Sequence, residues 1–222
     1  MEWSPATAYC VGLVATDGNL SGDGRHVEFT SKDSELVAII QAQFGRTNRI
    51  TMKSRSAGAP KKYFRIQISN VRLYRWLQTI GLTSRKSLTL GILRIPGEFF
   101  RDFLRGCLDG DGNIMVYDDP VFPNSRRLYV RFVSGSATHL DWLQQNIQQL
   151  WSLHGYRSTV PRAFRLNYAK TESIALLKKI YYAPSLPCLP RKRQLAAPFF
   201  GCSSGGGETG KRAGLRSLCR KA

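Results

Sequence analysis

With 33 Lys and Arg against 15 Asp and Glu, this 222-residue chain carries a net charge of +18, which points to a polyanionic partner, nucleic acid being the commonest. Hydrophobic residues make up 42%, enough to pack a core and too many for a chain disordered throughout; no apolar run reaches the length of a membrane span, and Glu2 and Pro5 interrupt any signal-peptide pattern. The 5 cysteines are odd in number, scattered and without a CxxC pair, and with only 3 histidines they argue against a zinc site; the expected setting is a reducing interior, a bacterial cytoplasm or an organelle matrix.

In chain order, PATAYCVGLVA (5–15) is an apolar stretch rich in small residues and reads as a helix, with Cys10 a small buried hydrophobe. A glycine turn follows. RHVEFTS (25–31) then alternates, Val27 and Phe29 on one side and His26, Glu28 and Thr30 on the other. SELVAIIQAQF (34–44) reads as a helix stopped at Gly45. RITMKSR (49–55) alternates again, with Ile50 and Met52 expected inward and Arg49, Thr51, Lys53 and Arg55 outward. In YFRIQIS (63–69), Tyr63, Arg65, Gln67 and Ser69 face away from Phe64, Ile66 and Ile68. NVRLYRWLQTI (70–80) takes Asn70 as N-cap and Gly81 as its stop.

GEFFRDFLRGCLD (97–109) is a second helix of the first kind, with acids in its opening turn. Beyond it, Arg127, Tyr129 and Arg131 alternate with Leu128, Val130 and Phe132, and helices are expected over about 137–153 and 170–182. The pattern is an α+β fold of two αββαββα units, 1–95 and 96–198. Residues 199–222 turn glycine- and serine-rich and then basic, and read as a disordered tail.

The two units are copies of one another. Gly12, Asp17, Gly18, Asn19 and Leu20 match Gly106, Asp111, Gly112, Asn113 and Ile114 at one fixed spacing. VEFTS (27–31) then answers VRFVS (130–134), the spacing widened by DDPVFPNSRR (118–127), which has loop composition. YFRIQIS answers AFRLNYA (163–169), and SRKS (84–87) answers PRKR (190–193). Kept order with drifting spacing marks a duplication with insertions. Each unit has one apolar sheet face for its helices and one face of Arg, Lys, Gln, Thr, Ser, Asn and Tyr. Such a face can simply be solvated, but these are also the side chains that reach phosphates and base edges.

Gly12-xxx-Thr16 and Gly106-xxx-Gly110 put small residues one turn apart on the two apolar helices. That spacing lets helix backbones approach closely, and packing about a pseudo-twofold axis would bring Asp17 and Asp111 side by side. Two such carboxylates repel unless a cation lies between them, and Mg²⁺, which takes few carboxylates and completes its shell with substrate oxygens, suits the pair. The DGDGN stretch is no calcium loop, because Gly is missing at its sixth position and its twelfth is Pro120. A plain turn would explain one copy, not two, each ending a small-residue helix ahead of a basic sheet.

CVGLVATDG (10–18) and LRGCLDGDG (104–112) resemble the two signature motifs of the LAGLIDADG homing endonucleases, in the single-chain, two-motif form, over roughly residues 6–196. The resemblance implies a monomer that lays two four-stranded β-saddles into successive major-groove stretches of double-stranded DNA. It further implies cleavage of both strands across the minor groove, with short 3′ overhangs. The last acid of each motif, Asp17 and Asp111, would hold divalent metal, Mg²⁺ with Mn²⁺ as a substitute. Lys86 and Lys192, the matching lysines after the third helix of each unit, would be basic active-site residues, with ordinary phosphate clamping as the alternative. Ser31 and Ser134 end the second strands near the expected site. The first motif departs from the family at Ala15, where an acid is frequent, and at Thr16, which replaces a smaller residue.

The residues expected on DNA are Arg25, Glu28, Thr30, Arg49, Thr51, Lys53, Arg55, Tyr63, Arg65, Gln67 and Ser69 in the first unit. In the second they are Arg126, Arg127, Tyr129, Arg131, Arg157, Thr159, Arg162, Arg165 and Asn167. Strands of about eight residues span roughly 27 Å, about eight base pairs, so two units and the central step read roughly twenty. An intron RNA maturase and a catalytically silent DNA-binding regulator are the other readings of such a chain, and intron RNA is a second expected partner under the first of these. Paired acids beside phosphates count against the regulator. An intein is disfavoured, for want of a catalytic N-terminal residue and a His-Asn terminus.

Overall fold

A computed structural model describes residues 1–54, 61–84, 89–122 and 126–200. Arg55, Lys86 and the chain from residue 201 lie outside the described residues. The first half runs α1 (Pro5–Asp17), β1 (Gly18–Leu20), β2 (His26–Ser31), α2 (Ser34–Phe44), β3 (Thr51–Ser54), β4 (Lys61–Ser69) and α3 (Val71–Ile80). The second repeats it as α4 (Phe100–Asp109), β5 (Asn113–Asp118), β6 (Arg126–Ser134), α5 (Ala137–Trp151), β7 (Tyr156–Val160), β8 (Ala163–Tyr168) and α6 (Lys170–Ile180), followed by α7 (Pro190–Ala196). Two four-stranded antiparallel sheets result, ordered β1-β2-β4-β3 and β5-β6-β8-β7.

The helix ends follow the chemistry of the sequence. Ser4 caps α1, its side chain accepting from Thr7 N at 3.1 Å, with Pro5 in the first turn. Asn70 caps α3 through Leu73 N at 3.0 Å, and Gly81 ends it at φ 112°, a left-handed conformation that suits glycine. α1 extends to Asp17, two residues past the expected end. Residues 97–99 form a 3₁₀ turn ahead of α4, and α5 and α6 stop short of their expected limits, at Trp151 and Ile180. α7 forms over PRKR, the stretch that matches SRKS of the first unit, and adds a helix beyond the expected αββαββα order. Phe199 and Phe200, assigned to the tail by composition, pack instead: Phe199 is 8% exposed and Phe200 lies 5.9 Å from the Tyr181 ring.

Every residue of α1 from Thr7 to Ala15 is buried, as expected of a central helix that is apolar on all sides. It packs along α4. A Cβ on Gly12 would stand 2.9 Å from Gly106 Cα, and one on Gly106 would run into the Tyr9 carbonyl and lie 3.0 Å from Gly12 Cα. The small residues let the two backbones touch. The inner sheet faces then close on the same core, with Val27, Phe29, Ile66 and Ile68 from one and Leu128, Val130, Phe132 and Leu166 from the other. Met52 departs from its expected place. Although it shares the inner face with Phe64, it is 48% exposed, because short β3 is an edge strand there.

α4 is buried with charges on it. Arg105, fully buried, donates Nε to Pro187 O at 2.9 Å, Nη1 to Ile180 O at 2.8 Å and Nη2 to Asp102 Oδ1 at 2.7 Å. Asp102 also accepts from Tyr182 OH at 3.1 Å. The network ties the segment after α6 to the central helix and so directs α7 back towards the α1–α4 corner. Arg105→Ala takes the close charge partner from buried Asp102, which keeps Tyr182 OH and Arg101 Nε at 3.9 Å, so the loss is about 3 kcal/mol, the low end for a broken buried pair. Urea unfolding measures it, and a loss under about 1 kcal/mol would contradict the network's role.

Candidate functional site

The C-terminal ends of α1 and α4 meet at one corner. Thr16 Oγ1 turns back to its own helix, donating to Leu13 O at 2.9 Å and Gly12 O at 3.2 Å. It fills the space that a Cβ on Gly110 would need, and Asp17 Oδ2 would lie 3.4 Å from that Cβ. Asp17 is the last residue of α1, and Asp111 follows Gly110 directly. One acid from each half therefore arrives at the same corner, Asp111 exposed and Asp17 half-buried. The glycines just behind them are sterically required. A Cβ on Gly18 would come within 2.6 Å of Val14 O, and one on Gly112 within 2.7 Å of Leu108 O, as the first strand of each sheet folds back over its helix.

Lys192 reaches this corner by a different route from the one expected. It is 4% exposed. Its Nζ donates to Leu108 O at 2.6 Å, Gly112 O at 2.7 Å, Asp109 O at 2.9 Å and Gly110 O at 3.4 Å. An ammonium at a helix C-terminus satisfies carbonyls that the helix leaves open. Lys192 thus clamps the loop that carries Asp111 and does not present its charge to solvent. Burial lowers it to about 8 against the pull of Asp109. Its neighbour Arg191 pairs with Asp33 at 2.9 Å, joining α7 to the first half.

Asp109 was not among the expected site residues. It is buried and accepts from Leu189 N at 2.7 Å, Tyr9 OH at 2.8 Å and Tyr181 OH at 3.2 Å. Desolvation pushes its carboxyl up, although those donors pull it down. The available signal was that this acid stands opposite apolar Ala15 in the repeat. His139, also missed, stands opposite Leu36. It is buried, donates Nδ1 to Gly91 O at 3.0 Å and lines a cavity of about 20 Å³ with Thr16, Asp111 and Ser134. Ser31 and Ser134 both make entry turns, accepting from Asp33 N at 3.2 Å and Ser136 N at 3.1 Å.

The outer face of the first sheet carries Glu28, Thr30, Thr51, Lys53, Tyr63, Arg65, Gln67 and Ser69. Glu28 sits among them between Lys53 Nζ at 3.1 Å and Arg65 Nη2 at 2.5 Å. Burial raises its carboxyl, but the hydrogen bonds and charges of Lys53 and Arg65 outweigh that and hold it below the usual range. Arg65 also donates to Gln67 Oε1 at 2.7 Å. Arg25 lies in the β1–β2 loop, 3.6 Å from Asp23, and Arg49 is exposed just before β3.

On the second sheet Tyr129, Arg131, Arg165 and Asn167 face outward. Tyr117 and Tyr129 stack at 6.1 Å, and Arg131 lies 5.5 Å from the Tyr129 ring. Arg127 is outward too, but it is held by Asp119 at 2.7 Å, and its hydrogen bond lowers that carboxyl to about 2. Asn167 is only 2% exposed, its amide donating to Ser158 Oγ at 3.0 Å and Tyr156 O at 3.2 Å. Arg162 occupies the β7–β8 turn at φ 65°.

Three expected contacts lie on the wrong side of this sheet. Arg157 and Thr159 pair with Leu166 and Phe164, which puts them on the helix face, and Tyr156 and Ser158 point outward in their place. Arg157 donates to Asp141 Oδ1 at 2.6 Å. A one-residue shift exchanges the faces of a strand, and YRSTV has no apolar alternation to fix its phase. Arg126 shares the side of Leu128 at the strand's open end, 3.7 Å from Asp118.

No protein-family model and no curated protein matches the chain. Solved structures do. The chain is similar to I-DmoI in complex with DNA and Ca, with TM-score 0.57 and 15% identity over 87% of this chain and 97% of that one. It is similar to the I-LtrWI LAGLIDADG homing endonuclease bound to target DNA, with TM-score 0.57 and 11% identity over 88% and 89%. The N-terminal LAGLIDADG domain of DUF199/WhiA matches with TM-score 0.54 and 13% identity over 83% and 85%. The chain has the LAGLIDADG homing-endonuclease fold.

At such identities the likeness settles the fold, and the chemistry has to come from this chain's residues. In this LAGLIDADG fold the corner offers two carboxylates, and among the described residues no group of three or more His, Cys, Asp or Glu could close around a metal. Two hard oxygen donors, one of them open to solvent, fit an ion such as Mg²⁺ that keeps waters and substrate oxygens in its shell. They do not fit an ion that needs a closed nitrogen and sulfur cage. Among the described residues no helix is long and apolar enough to cross a membrane.

Proposed function

We propose that this chain is a site-specific homing endonuclease that makes double-strand breaks in DNA as a monomer, using Mg²⁺ or Mn²⁺. The observation that carries the reading is the corner where α1 and α4 end, to which each half contributes one acid, flanked by two sheets with basic outer faces. That DNA occupies those faces is supported by the DNA complexes of I-DmoI and I-LtrWI, and divalent metal by I-DmoI complexes with Ca and with Mn. A bound ion supplies Lewis-acid polarisation of the scissile phosphate and a more acidic water. Asp17 and Asp111 hold it, and Lys192 keeps the Asp111 loop in place through four carbonyls. Lys86 is assigned the basic role at the phosphate by its place in the repeat. A target of roughly twenty base pairs, short 3′ overhangs and an intron-borne reading frame complete the proposal.

Selection from randomised duplexes with Mg²⁺ tests it. One recurring target should emerge, cut in both strands with Mg²⁺ or Mn²⁺ and intact in EDTA. Cutting without sequence preference, or a dimer at cleavage-competent concentration, would contradict the proposal. Binding should weaken steeply with salt. Replacing Arg65 or Arg165 costs about 1–3 kcal/mol on the cognate site if each reads a guanine, which competition binding measures; equal weakening on every sequence would make them phosphate contacts.

A further inference from the structure

The strand registers superimpose the two sheets residue by residue. Phe29 stands opposite Ile66 as Phe132 stands opposite Leu166, and Thr51 opposite Arg65 as Ser158 opposite Arg165. Glu28, between Asn19 and Gln67, therefore occupies the place that Arg131 holds between Asn113 and Asn167. Among the described strand residues this is the one matched pair whose charge reverses.

The reversal has a physical meaning on a surface that meets a polyanion. A carboxylate there repels phosphate, so its place is justified only if it faces hydrogen-bond donors. In the major groove the amino group of cytosine is such a donor, and Glu or Asp accepts from it. Lys53 and Arg65 hold the two Glu28 oxygens at 3.1 and 2.5 Å. Thr30 Oγ1 also donates to Oε1, at 3.4 Å; each oxygen has two acceptor sites, so these contacts fix the carboxylate's direction and leave one site open, on Oε2. Arg131 is the complement. Its Nε is buried without a hydrogen-bond partner, its Nη1 lies against the Met115 sulfur, and the guanidinium sits over Tyr129. No ion pair forms on it among the described residues. An arginine at that place on the outer face, with no acid holding it, is the side chain that pairs with the two acceptors of guanine.

We propose that Glu28 and Arg131 are specificity-determining residues that read opposite bases at matched positions of the two half-sites, cytosine under Glu28 and guanine under Arg131. The DNA target is then non-palindromic at that base pair. The inference rests on the DNA reading above, and it adds where the two half-sites must differ.

Selection from randomised duplexes in the absence of metal, for wild type, Glu28→Gln, Glu28→Arg and Arg131→Gln, tests it. Wild type should select cytosine in one half-site and guanine at the symmetry-related position of the other. Glu28→Gln should lose about tenfold or more of the preference at its own base pair and keep the rest of the site. Glu28→Arg should switch that preference to guanine, making the half-sites symmetric there, and should steepen the salt dependence. Arg131→Gln should relax only the guanine. A wild-type site palindromic at this pair, or Glu28 variants that alter only the base read by Arg65, would overturn the proposal and leave Glu28 a support for Arg65. Failure of wild type to select any duplex would instead overturn the DNA reading itself.

Discussion

Gly106→Ala destabilises the protein by about 3 kcal/mol or more, at the upper end of what overpacking costs, and Gly12→Ala does the same. The added methyl at Gly106 meets the Tyr9 carbonyl and stands 3.0 Å from Gly12 Cα; at Gly12 it meets the Phe103 carbonyl and stands 2.9 Å from Cys107 N. All four obstacles are backbone, so no side chain can swing aside. α1 and α4 are buried on every side, and relieving the clash means moving one helix through a packed core. Gly91→Ala is the control. A Cβ there meets nothing within 4 Å, and such a surface change stays within about 0.5 kcal/mol. Urea unfolding at constant slope reads the difference. A Gly106→Ala protein as stable as Gly91→Ala would show that the two helices do not touch through their backbones.

The sequence was most legible where one face of an element is filled by apolar residues. α2 has the expected limits, 34–44, and α3 has the expected cap at Asn70 and stop at Gly81. Val27 and Phe29, like Leu128, Val130 and Phe132, fix the phase of their strands. β7 shows the converse, since the one aliphatic residue of YRSTV, Val160, lies on the outer side with Tyr156 and Ser158, and nothing apolar marks the core side. The buried polar links were illegible for another reason. Arg105 bonds to the carbonyls of Ile180 and Pro187, and Lys192 to those of residues 108–110 and 112. Backbone acceptors carry no sequence signature, so a buried lysine on PRKR looks the same as one reaching for phosphate. The acids at the corner were legible because the chain writes them twice.

Asp17→Asn and Asp111→Asn should each remove cleavage of both strands. An amide keeps the shape of the side chain but not the charge that holds a divalent cation. The loss should exceed the roughly 10- to 100-fold that follows from losing an outer partner of a metal ligand. Because each half gives one acid to a shared corner, neither variant should spare a strand. Duplex binding should persist, since the sheets are untouched, and removing a negative charge beside phosphates favours it slightly. The decisive measurement is strand-resolved cleavage of the selected duplex in Mg²⁺, paired with binding of the same duplex in Ca²⁺, for wild type and the two variants. The expected result is both strands intact with either variant and binding within about threefold of wild type, too little to cost more than a fraction of a kcal/mol. Undiminished cutting by either variant, or loss of a different single strand with each, would contradict a shared site built from Asp17 and Asp111.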